Sequence, residues 1–286
     1  MRVLNWDVFT GARPLASQSV AMTIGVFDGI HRGHRVLLDL IKGQDTGQDT
    51  VQDGRSPAVI TFRHNPRIFL KPHLYPGDIC TLQQKLQILE ELGVETVILI
   101  DFSSDFSKLS CNDFVTAIRQ SCDIRYLTLG DNFRCGRNGA SSAYDVRDYL
   151  ENHGVKVHVQ APVSWKGATL SSTRIRAAIR EGKLEEAREM MGRDFVLDMG
   201  VSHVHYQHST VRVEKMSLSQ VLPPPGSYRV DIETPTQRFP TRVSIDEEEI
   251  RWDQQEENES VKAIRFTPTT EEGETDAHKR EEARDY

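Results

Sequence analysis

From the N-terminus to about residue 192, short apolar runs alternate with segments whose apolar residues recur every three or four positions. MTIGVF (22–27) reads as a strand, and HRVLLDLIKG after it carries Val36, Leu37, Leu40 and Ile41 at helical spacing. AVITF (58–62), VETVILID (94–101), IRYLTLG (124–130) and VKVHVQ (155–160) are four more strands. Helices are predicted between them. Thr81 and Gln84 form a capping-box pattern before QKLQILEELG, with Gly93 at its end, and Ser110 and Asp113 start the next. Another helix covers 143–153. Ser171 or Ser172 caps TRIRAAIREG, and KLEEAREMMG completes a helical pair.

Strands separated by helices in this order predict parallel strands with right-handed crossovers, an α/β fold with a doubly wound parallel sheet. Ligands of such sheets bind beyond the carboxyl ends of the strands, at the switch point. Four unusual segments fall at strand ends or after the last strand, 25–34, 61–66, 130–139 and 171–176, and the topology predicts that they converge. After about residue 195, short strand-like runs (VSHVHY, STVRVEKM, GSYRVDIE, TRVSID) are spaced by Pro and Gly, predicting a small antiparallel β domain. The expected organisation is 1–193, 194–266, and a polar tail over 267–286 too hydrophilic to pack. The segment QDTGQDTVQDGRSP, from 44, reads as a surface loop.

Charge sharpens this division. Of the net −7, residues 246–286 supply 15 acidic against 6 basic side chains, leaving 27 acidic and 29 basic in the rest. A body so nearly neutral lacks the broad basic face of a nucleic-acid binder. No run approaches the roughly 18 apolar residues of a membrane span, and MRVLNWDVFTGARPLASQ has no apolar signal region. Cys80, Cys111, Cys122 and Cys135 stand apart with no CxxC pair, so reduced thiols and a cytoplasmic location are expected. Nothing in the sequence sets an oligomeric state.

The sharpest chemical signal is GVFDGIHRGH (25–34), closing the first predicted strand and opening a helix. Gly25, Gly29 and Gly33 permit a tight turn and close ligand approach, while a helix N-terminus suits phosphate. His31 and His34, three apart, face the same way and are placed to donate to phosphate oxygens, with added charge if protonated. A zinc pair is the alternative, but no Cys or Glu nearby completes a ligand set. SSTRIR (171–176) gathers three hydroxyls and two arginines at a helix start; it reads either as a second phosphate holder or as a plain N-cap with a solvated basic face. In LGDNFRCGRNGA (129–140), Asp131 and Asn132 suit the polar edge of a planar ligand and Phe133 its face, unless this is only a Gly- and Asn-rich turn. TFRHNPR (61–67) places His64 and Asn65 in extended backbone before a proline, aimed at the crevice or simply on a surface loop.

GVFDGIHRGH, TFRHNP, LGDNFRCGRNG and SSTRIR, with EGKLEEAREMMGR behind the last, occur in the order and spacing of bacterial FAD synthetases. The chain over about 20–193 resembles the adenylyltransferase module of the bifunctional riboflavin kinase/FMN adenylyltransferase family, within the wider HxGH nucleotidyltransferase group. That resemblance implies a Rossmann-like nucleotidyltransferase that makes FAD and pyrophosphate from FMN and ATP with Mg²⁺. It puts Gly25, Phe27, Asp28, Gly29, His31, Gly33 and His34 at ATP, with Ser171, Ser172, Thr173 and Arg176 as the second phosphate-holding set. His31, His34 and Arg176 are the implied catalytic residues. Asn65, Asp131, Asn132 and Phe133 fall on the flavin side, and no metal ligand from the protein is assigned. One departure stands out: the family reads TFxPHP, so Asn65 occupies the place of its histidine and His64 that of its proline. VLPPPGSYRVDIE resembles an internal hairpin of the family's kinase barrel, but the kinase's G-x-P-T-A-N segment is missing between Gly200 and Leu222. The expectation is a monofunctional FAD synthetase with a shrunken β domain. The alternatives are another HxGH nucleotidyltransferase or a flavin- or nucleotide-binding protein without catalysis.

Overall fold

The computed structural model describes residues 1–43, 54–200, 204–207, 210–253 and 260–267. Of the loop predicted over 44–57, residues 44–53 lie outside the described residues, as does the acidic tail beyond 267, while Ser56 and Pro57 belong to a strand instead. The chain divides into two compact units: 1–193 together with 219–223, and 194–218 with the residues from 224 onward.

In the first unit the elements run β1 (Arg2–Asn5), α1 (Trp6–Gly11), β2 (Leu15–Ile24), α2 (Arg32–Ile41), β3 (Ser56–Phe62), α3 (Pro66–Leu70), α4 (Leu82–Glu91) and β4 (Thr96–Ile100). They continue with α5 (Cys111–Ser121), β5 (Cys122–Gly130), the short pair β6 (Arg134–Cys135) and β7 (Ser141–Ser142), α6 (Ala143–Glu151) and β8 (Lys156–Gln160). The tight hairpin β9 (Ser164–Trp165) and β10 (Ala168–Thr169) precedes α7 (Ser172–Arg180) and α8 (Leu184–Met191).

Six strands form one sheet in the order β1-β4-β3-β2-β5-β8, every pair parallel. The chain winds outward from β2 through β3 to β4, then returns to place β5 on the other side of β2. The switch point therefore falls between β2 and β5, where crevices open in doubly wound sheets. Alternation along the strands feeds two cores. Val20, Met22, Ile24, Ala58, Ile60, Ile98 and Ile100 pack with Phe9 of α1, Phe114 and Ile118 of α5, and Val146 and Leu150 of α6. Ala21, Val59, Val97 and Leu99 face the opposite way, toward Leu37, Leu38 and Ile41 of α2 and Leu89 of α4. This is the period-two signature of strands covered by helices on both faces.

The caps read from sequence are present. The Thr81 hydroxyl accepts from Gln84 N–H while the Gln84 side chain accepts from Thr81 N–H. Ser110 and Ser171 accept from the backbone N–H groups of Asp113 and Arg174. Three features differ from expectation. β1 and α1 precede the first predicted strand. The strand expected over 22–27 ends at Ile24, because Phe27 and Ile30 adopt positive φ (52° and 32°) and turn the chain. Cys111 and Cys135, expected as free thiols, are joined in a disulfide with Cα atoms 5.5 Å apart, tying the 129–140 loop to the start of α5. They are 24 residues apart in sequence, and closing a loop of that size restricts the unfolded chain by about 3 kcal/mol.

The second unit is a seven-stranded antiparallel sheet. Its strands are β11 (Val196–Asp198), β12 (Val204–Gln207), β13 (Thr210–Glu214), β14 (Gly226–Glu233), β15 (Arg238–Ile245), β16 (Glu249–Asp253) and β17 (Ala263–Phe266). They follow the order β11-β17-β14-β15-β16-β13-β12. Val211, Val213, Val230, Ile232, Val243, Ile245 and Ile250 alternate into its core.

Candidate active site

The turn between β2 and α2 carries the GVFDGIHRGH residues, and its backbone is held from several directions. Gly29 has φ 76°, and a Cβ there would come within 2.8 Å of Ile79. Every carbonyl from Val26 to Ile30 is engaged. Val26 O accepts from the Thr61 hydroxyl (3.0 Å) and Lys85 Nζ (3.1 Å), and Phe27 O from Ile30 N–H (3.4 Å). Asp28 O accepts from the Ser172 hydroxyl at 2.9 Å. Gly29 O and Ile30 O both accept from the Arg193 guanidinium, at 2.6 and 3.0 Å. Carbonyls so occupied are held by the scaffold, while the first N–H groups of α2 have no partner within the helix itself. A helix N-terminus of this kind is able to receive an anion.

His31 is the N-cap of α2 and His34 its third residue. Their rings stack at 3.7 Å with planes 13° apart, and His34 lies 5.0 Å from the buried Phe27 ring. A Cβ at Gly33 would come within 3.2 Å of the His31 ring, so glycine leaves room for the stack. His31 Nδ1 accepts the His34 N–H at 3.3 Å, which puts the proton of the neutral ring on Nε2 as a donor. Burial, and then the charge of Arg193, lower the His31 pKa to about 4. Burial, then His31, Lys85 and Arg193, hold His34 well below its usual value. The sequence allowed a charged imidazole pair; in the free protein near neutral pH both rings are neutral, and the positive charge comes from Lys85 and Arg193. His34 Nδ1 is buried without a hydrogen-bond partner.

This has a consequence for stability. Between about pH 4 and 6.5 the unfolded chain binds more protons than the folded one, so stability falls as pH drops through that window. His31 accounts for about 3 kcal/mol of that loss. Urea unfolding at pH 7 and pH 4.5 should show a smaller acid loss in His31→Asn than in wild type; equal losses would refute the assignment.

Asp28 and Arg176 form an ion pair with side chains 4% and 6% exposed. Asp28 also accepts from the N–H groups of Ile79 (2.9 Å) and Cys80 (3.4 Å). Arg176 Nε donates to Gly77 O at 2.8 Å, and the guanidinium lies over the Tyr75 ring. Tyr75 donates to Asp78, whose pKa is raised by burial and then by the Asp28 charge. Arg176 was expected to reach phosphate directly; its guanidinium is instead spent inside the protein, clamping Asp28 to the 75–80 loop. The rest of SSTRIR divides in the same way. Ser171 caps α7, Ser172 holds Asp28 O, and Arg174 gathers the carbonyls of Trp165, Ala168 and Thr169, while Thr173 is exposed on the first turn.

On the flavin-side segments, Asn65 is 7% exposed and caps α3, its Oδ1 accepting from Arg67 N–H at 3.1 Å. Asn before a proline at the first helical position is a cap signal that the extended-loop reading passed over. Asp131 accepts from the Tyr144 hydroxyl at 2.6 Å, Asn132 is exposed, and Phe133 packs partly into the core. An aromatic cluster that the sequence reading missed stands at the ends of β3 and β4. Phe62, Phe69, Phe102 and Phe106 meet edge-on or tilted at 5.7–6.3 Å.

Among the described residues no group of three or more His, Cys, Asp or Glu is arranged to hold a metal. The Asp28 carboxylate is already occupied by Arg176 and two amides. The donor set therefore does not fit a magnesium ion held by the protein. Among the same residues, no helix is long and apolar enough to cross a membrane.

The fold resembles the crystal structure of a macrolide-efflux protein from Streptococcus pneumoniae, with TM-score 0.72, 23% identity, and coverage of 88% of this chain and 98% of that one. At that identity the likeness speaks for the fold alone. A bifunctional riboflavin kinase/FMN adenylyltransferase of Buchnera aphidicola is 32% identical over 188 residues, 64% of this chain and 58% of the relative. The Escherichia coli K12 protein of the same name is 26% identical over 223 residues, covering 75% and 68%. The chain thus spans between about half and two thirds of these relatives' lengths. The FAD synthetase profile matches residues 14–174, taking in the β2–α2 turn, the 61–66 and 129–140 loops and the start of α7, and the chain belongs to the FAD synthetase family.

Proposed function

We propose that this chain is an FMN adenylyltransferase, making FAD and pyrophosphate from FMN and ATP. The observation that carries this reading is the stacked pair of neutral imidazoles at the mouth of β2, on a helix N-terminus beside the switch point. The reaction needs no protein nucleophile. A phosphate oxygen of FMN forms a bond to the α-phosphorus of ATP as the α–β bridging bond breaks, and pyrophosphate leaves with the bonding pair. Catalysis is then alignment plus stabilisation of charge on the departing oxygens.

In this reading Gly25, Phe27, Gly29 and Gly33 shape the ATP turn, and His31 and His34 face the phosphates, with His31 Nε2–H as a donor. Thr173 meets the β/γ end. Ser171, Ser172, Asp28 and Arg176 hold the frame from behind. Asn65, Asp131, Asn132 and Phe133 border the flavin, with the Phe62–Phe106 aromatic cluster offering its ring system an apolar wall. Mg²⁺ accompanies the nucleotide, and the reaction belongs to the cytoplasm. No riboflavin kinase step is assigned, because the stretch 200–222 lacks the kinase's phosphate- and metal-holding segment.

Incubation with FMN, ATP and Mg²⁺, followed by chromatography, should give FAD and pyrophosphate. Incubation with riboflavin, ATP and Mg²⁺ should give no FMN. Binding of FMN without FAD would favour a flavin-binding protein. Adenylylation of a different phosphorylated vitamin would favour another HxGH enzyme, and FMN formed from riboflavin would overturn monofunctionality.

A further inference from the structure

Lys85, 5% exposed, is the only deeply buried lysine among the described residues, and the reaction derived above makes no use of it. It rises from the first turns of α4 and donates through Nζ to Val26 O and Phe62 O, both at 3.1 Å. Val26 O lies two residues beyond β2, in the turn that leads to α2, and Phe62 O ends β3, the strand that feeds the 61–66 loop. Among the described residues the ammonium has carbonyl partners but no carboxylate in ion-pair contact, although an ammonium withdrawn from water calls for a counter-charge. Asp78, which feels the Lys85 charge, is committed to the Tyr75 hydroxyl. The ring packed against the same turn, His34, faces His31, Lys85 and Arg193.

We propose that Lys85 is a positioning residue of adenylyl transfer: it joins the turn after β2 to the end of β3 and lends a fixed positive charge to the turn that receives the phosphates of ATP. This rests on the functional reading above. A long, compact point charge suits the task, because it bonds two carbonyls while its field reaches past them.

The test compares Lys85→Gln, which keeps a donor without the charge, with Lys85→Arg, which keeps the charge. In Lys85→Gln, kcat for FAD formation should fall about 10²-fold, with KM for FMN within about threefold. The His34 ring, followed by NMR, should titrate at higher pH than in wild type. Lys85→Arg should recover at least tenfold of the lost rate and leave the His34 titration near wild type. A folded Lys85→Gln with wild-type kcat and an unmoved His34 titration overturns the proposal. A second measurement needs no variant: saturating ATP should shift the Lys85 ammonium resonance of the wild-type protein, and an unmoved signal with ATP bound also overturns it. Failure of the functional reading looks different, since the wild type would then make no FAD at all while the His34 titration still reports the Lys85 charge.

Discussion

Arg176→Met is expected to lower the free energy of unfolding by about 3–5 kcal/mol and to abolish FAD formation with it. The reason lies in what the substitution leaves behind. Asp28 would keep its two backbone donors but lose its ion-pair partner in a place where water cannot replace it. Gly77 O would lose its guanidinium donor, and the Tyr75 ring its cation. Asp78, whose pKa is already raised, would feel the Asp28 charge without the opposing field of Arg176. The double variant Asp28→Asn/Arg176→Met should regain part of the loss, because replacing both partners removes the unpaired charge. Urea unfolding of wild type, single and double variants at one pH measures this. A single-variant loss under about 1 kcal/mol would show that the pair does not organise the turn.

His31→Asn and His34→Gln should each lower kcat for FAD formation by about 10²–10³, the usual effect of losing one donor to developing charge. KM for FMN should stay within about threefold. The choice of residue separates chemistry from folding. Asparagine is among the best N-cap residues, so His31→Asn keeps an acceptor for the His34 N–H while withdrawing the Nε2 donor. A variant that unfolds like wild type near neutral pH but turns over slowly places the loss in the reaction. His34→Gln opens space beside Phe27 and is expected to be the less stable of the two. Unchanged turnover in both would remove the imidazoles from the mechanism.

Much of this molecule is written in short-range patterns. The strands at 58–62 and 124–130 announce themselves as apolar runs, and Thr81, Ser110 and Ser171 as caps, because each depends on neighbours within a few residues. The GVFDGIHRGH turn was legible for the same reason. What escaped depends on distant partners. Asp28 and Arg176 are 148 residues apart, and nothing local tells a phosphate-facing arginine from one turned inward to a carboxylate. The neutrality of the imidazoles follows from burial, which a spacing of three does not reveal. β1 was missed because Arg2–Asn5 is four residues long with only Leu4 buried, too short to show alternation. The Cys111–Cys135 bond needed the 129–140 loop to be folded back on α5 before the pair could be seen.

Residues 219–223 return to the first unit, where Ser219 O accepts from Asp78 N–H and Asp78 O from Val221 N–H, while Gln220 donates to Ile79 O. The first unit is thus not a cassette that can be lifted out by one cut. A fragment ending at Arg193 would expose backbone groups on the very loop that grips Asp28. Recombination that swapped everything after that point would need to supply an equivalent five-residue splice, which ties the inheritance of the two halves together.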